Sequence, residues 1–190
     1  MMGTSLFVAT ESGVDTNNKR GPWVQTNSGK RFYPLDPRAE EVDIKDIAKA
    51  LSKIARFNGH VDRFYSVAEH SIRVAQLVKE DKLEALLHDS TEAYIGDLTR
   101  PLKYVLPKFL EIEEKIWKEV SKRFQLKPLT EEINKADNLM CAVEKRDIFP
   151  KSEEWFNFPT EADVAHIPEL QPLEPREAEE LFLDLFYKYK

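Results

Sequence analysis

Apolar residues recur every three or four positions along most of this chain, which is the spacing of one face of an α-helix. The first such stretch follows Asp43, where Ile44, Ile47, Leu51 and Ile54 line one side. The same periodicity predicts further helices after Ser66, over 84–95, over 109–124, from Thr130 to about Ile148 and after Pro175. The pattern therefore indicates an all-α protein.

Two stretches depart from the helical pattern. Residues 23–26 and 30–33 flank the turn-forming Asn27-Ser28-Gly29, which predicts a β-hairpin within an N-terminal extension, residues 1–37. Residues 150–175 are rich in proline and aromatic residues, which predicts a loop wrapped on the body. We therefore expect one domain over residues 1–190, an all-α helical bundle with a small N-terminal hairpin.

Size, charge and cysteine content narrow the functional classes. A chain of 190 residues with 42% hydrophobic and 33% charged residues is typical of a soluble domain. The net charge of −6 argues against a general nucleic-acid binder, because duplex affinity depends on Lys and Arg at the phosphates. Cys141 is the only cysteine, which excludes an intrachain disulfide and predicts a reducing, cytoplasmic location. The sequence shows neither a long apolar run for a membrane span nor the pattern of a secretory signal.

The densest candidate chemistry lies in residues 86–92. An adjacent His88 and Asp89 stand in an apolar, helix-forming run, and Glu92 follows them by four and three residues. Positions so spaced share a helix face, so an imidazole and two carboxylates project into one small volume. Burying them beside leucines is costly unless a cation or hydrogen bonds satisfy them. A divalent metal is one interpretation, and the solvated end of a surface helix is the other.

His70 and Asp137 each face the apolar side of another predicted helix. Taken singly, His70 is more simply a hydrogen-bonded core residue, and Asp137 a buried carboxylate paired with an arginine or a backbone amide. Together with His88 and Asp89 they make a set of two imidazoles and two carboxylates. Such a set suits one divalent ion of the zinc, cobalt or manganese kind, and a site of this kind activates water for hydrolysis.

The order of these four residues resembles the HD superfamily of metal-dependent phosphohydrolases. Within it, four motifs resemble the short, single-domain deoxynucleotide phosphohydrolases, which include bacterial 5′-deoxynucleotidases and phage dATP triphosphohydrolases. The motifs are Ser66-Val67-Ala68-Glu69-His70-Ser71, Leu86-Leu87-His88-Asp89-Ser90-Thr91-Glu92-Ala93, Gly96-Asp97-Leu98 with Pro101-Leu102-Lys103, and Lys135-Ala136-Asp137-Asn138. The resemblance covers about residues 30–148 and the last helix and implies an HD-domain helical bundle.

The resemblance implies that His70, His88, Asp89 and Asp137 bind one divalent metal, which we expect to be cobalt, manganese, zinc or magnesium. Members of the superfamily that bind two metals use extra histidines between the His-Asp pair and the last Asp. This chain has no histidine between residues 89 and 137, which favours a single metal and argues against cyclic-dinucleotide phosphodiesterase chemistry.

Two acids are candidates for handling protons. Glu92 resembles the family's acidic residue beside the attacking water, and its position one helical turn from the His-Asp pair would let it orient or deprotonate that water. Asp97 resembles the second catalytic acid, which protonates the leaving oxygen or shares the water. Each has a plainer interpretation, Glu92 as a solvated helix acid and Asp97 as the cap of the turn after Gly96.

The predicted substrate contacts are less specific. They are Arg56, Phe57, Asn58, His60, Arg100 and Lys103. Arg56 offers a guanidinium fork that matches phosphate geometry. Phe57 either stacks on a base or completes the apolar side of its helix. Asn58 and His60 are candidates to reach the base or sugar, although the turn at Gly59 favours an asparagine in any case. Arg100 and Lys103 either contact the phosphate or are plain surface charge.

The resemblance implies a phosphohydrolase of deoxynucleotides. The compact length and the N-terminal hairpin favour similarity to the phage enzymes, that is, a dATP or other dNTP triphosphohydrolase that releases deoxynucleoside and triphosphate. A 5′-deoxynucleotidase acting on monophosphates is the close alternative. A non-catalytic nucleotide-binding module and a hydrolase of other phosphate esters stay open. A homo-oligomer, either a dimer or a hexamer, is implied as well, with no membrane or polymeric nucleic acid as partner and a cytoplasmic location, in the host cytoplasm if a phage encodes the chain.

Overall fold

The computed structural model describes residues 20–150, 155 and 159–190 of the chain. Within these ranges the protein is mostly helical and has one two-stranded antiparallel hairpin, which confirms the predicted all-α class. The strands are β1 (Val24–Gln25) and β2 (Arg31–Phe32), and the helices are α1 (Ile44–Leu51), α2 (Val67–Leu77), α3 (Lys82–Leu87), α4 (Glu92–Ile95), α5 (Arg100–Val105), α6 (Pro107–Phe124), α7 (Glu131–Ile148), α8 (Glu161–Val164) and α9 (Pro175–Tyr189).

The hairpin forms where the turn residues predicted it, and it is fastened to the helical body. Ser28 donates through its backbone N and its Oγ to the two carboxylate oxygens of Asp46 on α1, at 2.6 and 2.7 Å. Phe32 is fully buried and stacks on Tyr94 of α4, with ring centroids 3.8 Å apart. The hairpin therefore supports α4 from outside the bundle, while residues 1–19 of the predicted extension lie outside the described ranges.

Helix α2 occupies the centre of the bundle, where it packs against α3, α7 and α9. It begins as predicted, because the Ser66 hydroxyl accepts a hydrogen bond from the Glu69 backbone N at 3.1 Å. Glu69 makes no return bond to the Ser66 backbone N of the kind found in a capping box. Its carboxylate instead accepts from Arg73 and from the backbone N of Leu173. Glu69 thus ties α2 to the segment before α9.

Removal of the Ser66 hydroxyl should cost measurable stability. A serine N-cap contributes about 1 kcal/mol, and this one is fully buried, so we expect Ser66→Ala to lower the free energy of unfolding by about 1–2 kcal/mol. Urea unfolding followed by circular dichroism measures the change. Ser121→Ala is the matched control, because the buried Ser121 hydroxyl has no hydrogen-bond partner among the described residues. Equal losses in the two variants would contradict the capping role.

The prediction of one continuous helix over 84–95 is wrong. The chain leaves α3 after Leu87 and passes through four turn residues before α4 starts at Glu92. In this turn the backbone N of Ser90 bonds to Leu87 O, and that of Glu92 to Asp89 O, so the hydrogen bonds tighten to a spacing of three residues. Serine and threonine, which fill positions 90 and 91, compete with helical backbone bonds. The break turns His88 and Asp89 toward α2.

Two other predicted boundaries also shift. Helix α1 ends at Leu51 rather than near Ile54, because residues 52–54 form a turn and a bend that lead to Ala55, which bridges Ser66. The predicted loop over 150–175 contains the one-turn helix α8, and its residues 151–154 and 156–158 lie outside the described ranges. Among the described helices, none combines the length and the apolar character that a membrane span requires.

Candidate metal centre

His70, His88 and Asp137 meet where α2, the turn before α4 and α7 come together. Each offers one ligand atom, and these three atoms lie within 4.8 Å of one another. The Nε2 of His70 is 3.0 Å from Oδ1 of Asp137. Oδ2 of Asp89 lies 3.3 Å from His88 Nε2 and 3.8 Å from His70 Nε2. The structure thus brings the four predicted ligands together, and the two histidines with Asp137 form a group that can hold one metal ion.

The hydrogen bonds of the two imidazoles leave the correct nitrogens for a metal. His88 Nδ1 lies 2.7 Å from the Ala85 carbonyl oxygen, which can only accept, so this nitrogen carries a proton. His70 Nδ1 lies 2.6 Å from Oε1 of Glu144. Both Nε2 atoms are buried and make no well-formed hydrogen bond within the described part of the chain. Two orphaned imidazole nitrogens facing a carboxylate fit a divalent ion of the zinc, cobalt or manganese kind.

The charges of the cluster are strongly coupled. Burial and Arg56 lower the pKa of His70, but Glu144 and Asp137 outweigh them and raise it to about 9. Burial raises the pKa of Asp89, whereas the two imidazoles and Arg56 hold it well below its usual range. The carboxylates therefore stay ionised, and they favour positive charge beside them, either as protons on the imidazoles or as a bound cation.

A cavity of about 650 Å³ opens beside this cluster. The predicted residues that line it are Arg56, Phe57, Asp89, Glu92, Asp97, Arg100, Lys103 and Asp137. Asn58 and His60 are exposed and stand apart from this lining. The backbone of Phe57 and Asn58 adopts positive φ angles of 54° and 51°, which turns the chain outward immediately after Phe57. Six of the eight predicted catalytic and substrate residues thus share one cavity.

Glu92 and Asp97 bring two acids to the wall of the cavity. Glu92 is only 4% exposed, which excludes its interpretation as a solvated helix acid, and its Oε2 has no hydrogen-bond partner among the described residues. Burial, Asp89 and Asp97 raise the pKa of Glu92 well above its usual range, although Lys103 opposes them. Burial also raises the pKa of Asp97. Carboxyl groups with raised pKa values in a cleft suit proton transfer near neutral pH.

Arg56 and Lys103, which line the cavity, are held in ion pairs. Arg56 is buried, with Nη2 3.2 Å from Glu144 Oε2 and Nη1 3.6 Å from Asp89 Oδ2. Lys103 Nζ lies 2.8 Å from Glu113 Oε1 and 3.5 Å from Glu92 Oε1. Their predicted contact with phosphate stays a prediction, and a ligand would have to share these side chains with their carboxylate partners.

The structure adds two residues that the sequence did not single out. Glu144 lies behind His70 and is fully buried. It follows Asp137 by seven residues, so two helical turns place both on the same face of α7, and this spacing was the available signal. Trp155 also lines the cavity, with its ring centroid 6.1 Å from that of Phe57. It belongs to residues 150–175, the segment that the sequence predicts to be a loop wrapped on the body.

The fold and the site define a mostly helical protein with a candidate His-Asp metal centre beside a deep cavity. The chain belongs to the family of the uncharacterized protein YfdR of Escherichia coli (strain K12), to which it is 36% identical over 166 residues, covering 86% of this chain and 93% of that protein. It is also 35% identical over 147 residues to the uncharacterized protein RCAP_rcc00048 of Rhodobacter capsulatus, covering 69% of this chain and 75% of that protein. No model of a protein family matches the chain.

Proposed function

We propose that this protein is an HD-domain, metal-dependent phosphohydrolase of deoxynucleotides, and in the first place a triphosphohydrolase of dATP or other dNTPs. The observation that carries the proposal is the convergence of two orphaned Nε2 atoms on two carboxylates, Asp89 and Asp137, that line a cavity of about 650 Å³. The acids and cations that the HD resemblance implies for catalysis and phosphate binding line the same cavity. A purely structural metal site would not need this access.

The position of each residue assigns it a role in metal binding, proton transfer or phosphate binding. His70, His88, Asp89 and Asp137 hold the metal, which when bound supplies Lewis acidity toward a phosphoryl group and water. Glu92 orients the attacking water and accepts its proton. Asp97, half-buried at the start of the loop before α5, donates a proton to the leaving oxygen. Arg100 and Lys103, both on α5, would bind the phosphate from the cavity wall.

A 5′-deoxynucleotidase is the second candidate, and the charges around the cavity favour it. The lining contains four acids and three cations, so it offers no excess of positive side chains. Arg56 and Lys103 are in addition held by Glu144 and Glu113. A monophosphate carries less charge than a triphosphate and makes a smaller demand on cations. A single metal ion with one or two side chains would neutralise it.

A product assay tests the proposal and separates the two candidates. Metal-stripped protein is resupplied with Co²⁺, Mn²⁺, Zn²⁺ or Mg²⁺ and incubated with ribo- and deoxynucleoside mono-, di- and triphosphates, and the products are separated by chromatography. We expect deoxyadenosine and triphosphate from dATP. Release of deoxynucleoside and phosphate from several dNMPs would instead establish the 5′-deoxynucleotidase. No turnover with any nucleotide and any metal would overturn both.

The same panel distinguishes catalysis from binding alone. A non-catalytic nucleotide module would retain nucleotide in equilibrium dialysis and release no product over hours. A hydrolase of other phosphate esters would cleave p-nitrophenyl phosphate with every productive metal and leave the nucleotides intact. Phe57→Ala, which removes an aromatic wall of the cavity, should weaken nucleotide preference only if the base is bound there.

A further inference from the structure

A buried carboxylate lies directly behind one of the proposed metal ligands. Glu144 Oε1 is 2.6 Å from Nδ1 of His70, on the ring edge opposite the Nε2 that faces the cluster. The second oxygen of Glu144 is 3.2 Å from Nη2 of Arg56, and Nη1 of the same guanidinium is 3.6 Å from Oδ2 of Asp89. An uninterrupted chain of polar contacts therefore joins two of the proposed ligands behind the cavity.

We propose that Glu144, held by Arg56, is a positioning residue that fixes His70 as a metal ligand. The carboxylate accepts a hydrogen bond from the Nδ1–H of His70, so the proton of the neutral imidazole stays on Nδ1 and the lone pair of Nε2 points into the cluster. Histidine ligands commonly donate their second nitrogen to such an acceptor, which sets the tautomer and raises the basicity of the ligating nitrogen. The inference rests on the metal site of the proposed function, but not on its substrate.

His88 provides an internal comparison. Its Nδ1 donates to a backbone carbonyl, which is a neutral acceptor, whereas His70 meets a carboxylate. Hydrogen bonds to a charged acceptor are shorter and about twice as strong as neutral ones. The two histidines therefore differ, and His70 is the ligand whose orientation and basicity depend on a side chain that substitution can change.

Arg56 makes this arrangement possible in the interior. A buried carboxylate that lost its partners would be an uncompensated charge, which is strongly destabilising. Glu144 is fully buried, and Arg56 with His70 supplies its partners. Glu144 is not among the residues that line the cavity. It therefore acts through His70 and has no access to a substrate, and Arg56 serves the ligand set as well as the cavity wall.

The test measures metal affinity without any substrate. Metal-free wild-type protein and Glu144→Gln are titrated with Co²⁺ alone by calorimetry and visible absorption. We expect the variant to bind Co²⁺ about 10- to 100-fold more weakly, the usual loss for an outer-shell partner. Asp147→Asn is the matched control, because Asp147 is also an arginine-paired acid of α7 with a side chain only 5% exposed, and it accepts a hydrogen bond from the backbone N of Leu170. Its Co²⁺ affinity should equal that of wild type.

A second readout reports the hydrogen bond itself. In Zn²⁺-loaded protein, ¹⁵N-edited NMR should show the His70 Nδ1 proton far downfield, and Glu144→Gln should move it upfield. Arg56→Lys keeps the positive charge but loses the two-pronged guanidinium, so it should weaken Co²⁺ binding by a smaller factor. This variant replaces Glu144→Gln in the test if Glu144→Gln fails to fold.

Unchanged Co²⁺ affinity in folded Glu144→Gln, or in folded Arg56→Lys if the first variant does not fold, would overturn the positioning role while leaving the proposed function intact. The converse result is equally distinct. Weakened Co²⁺ binding in a protein that hydrolyses no nucleotide would support the positioning role and defeat the proposed function. A wild-type protein that binds no metal would overturn both.

Discussion

Replacement of Asp137 by alanine is expected to abolish both metal binding and hydrolysis. Its Oδ1 lies 3.0 Å from His70 Nε2, and it is the carboxylate of the three-residue group that can hold an ion. Without it, two neutral imidazoles and Asp89 must hold the charge of a divalent ion. We expect the affinity for Co²⁺ to fall by more than about 100-fold, which exceeds the usual effect of an outer-shell partner. Co²⁺ titration and the nucleotide panel measure the two losses.

The control for Asp137→Ala comes from the same helix. Glu131 stands in the first turn of α7, is strongly exposed and pairs with Lys135. Glu131→Ala removes an equal charge from the same element and should leave Co²⁺ affinity and turnover as in wild type. An active Asp137→Ala protein with a full complement of metal would contradict the metal centre, and with it the proposed function.

Replacement of Glu92 by glutamine should separate metal binding from turnover. Glu92 is buried at the cavity wall, and burial together with Asp89 and Asp97 raises its pKa well above the usual range. Glutamine keeps the shape but cannot accept a proton. General base catalysis contributes typically 10²- to 10⁴-fold, so we expect kcat to fall by roughly that factor. Co²⁺ affinity should stay within a few-fold, because Glu92 lies outside the proposed ligand set.

Glu84 provides the comparison for Glu92. It is similarly buried, at 5% exposure, and it bonds to the backbone N of Lys127 rather than facing the cavity. Glu84→Gln should keep full turnover once stability has been checked by thermal unfolding. If Glu92→Gln retained more than about a tenth of wild-type kcat, the loss would be smaller than the roughly 10²-fold lower bound expected from general base catalysis. Another group would then have to accept the proton.

The inward positions of His70 and Asp137, two of the candidate metal ligands, could be predicted from sequence because helical spacing carried that information. His70 and Asp137 repeat with the apolar stripes of α2 and α7, and the structure brings both to one cluster. The caps at Ser66 and Thr130 also marked the starts of these helices, since each hydroxyl accepts a backbone bond in its first turn. Helices are predicted reliably from sequence where the apolar face and the N-cap residue indicate the same helix.

Other features depended on tertiary contacts that no spacing reveals. The sequence predicts one helix over 84–95, yet the structure interrupts it from His88 to Thr91. Asn58 and His60 adjoin a cavity residue in sequence, but positive φ angles at Phe57 and Asn58 turn them outward. A sequence pattern reports the average preference of a segment for helix, strand or turn. Contacts with the surrounding chain decide where the segment bends and which way its side chains point.

The role of Glu144 could not be chosen from sequence for a related reason. Helix α7 carries several acids, and helical periodicity says only which of them face inward. Whether an inward acid meets an arginine, a backbone amide or an imidazole depends on α2 and on the segment between α1 and α2, which carries Arg56. Only the structure shows that Glu144 meets both Arg56 and His70.

The long separation between His70 and Glu144, 74 residues along the chain, has a thermodynamic consequence. The unfolded chain cannot hold these groups together, so an ion that needs the assembled cluster binds the native state alone. Its binding free energy is then added to the folding equilibrium. At a free concentration one hundred times its Kd, such an ion would add about 2.7 kcal/mol to the free energy of unfolding. For a protein that holds such an ion, metal supply in the cell would act on its lifetime as well as on the proposed hydrolysis.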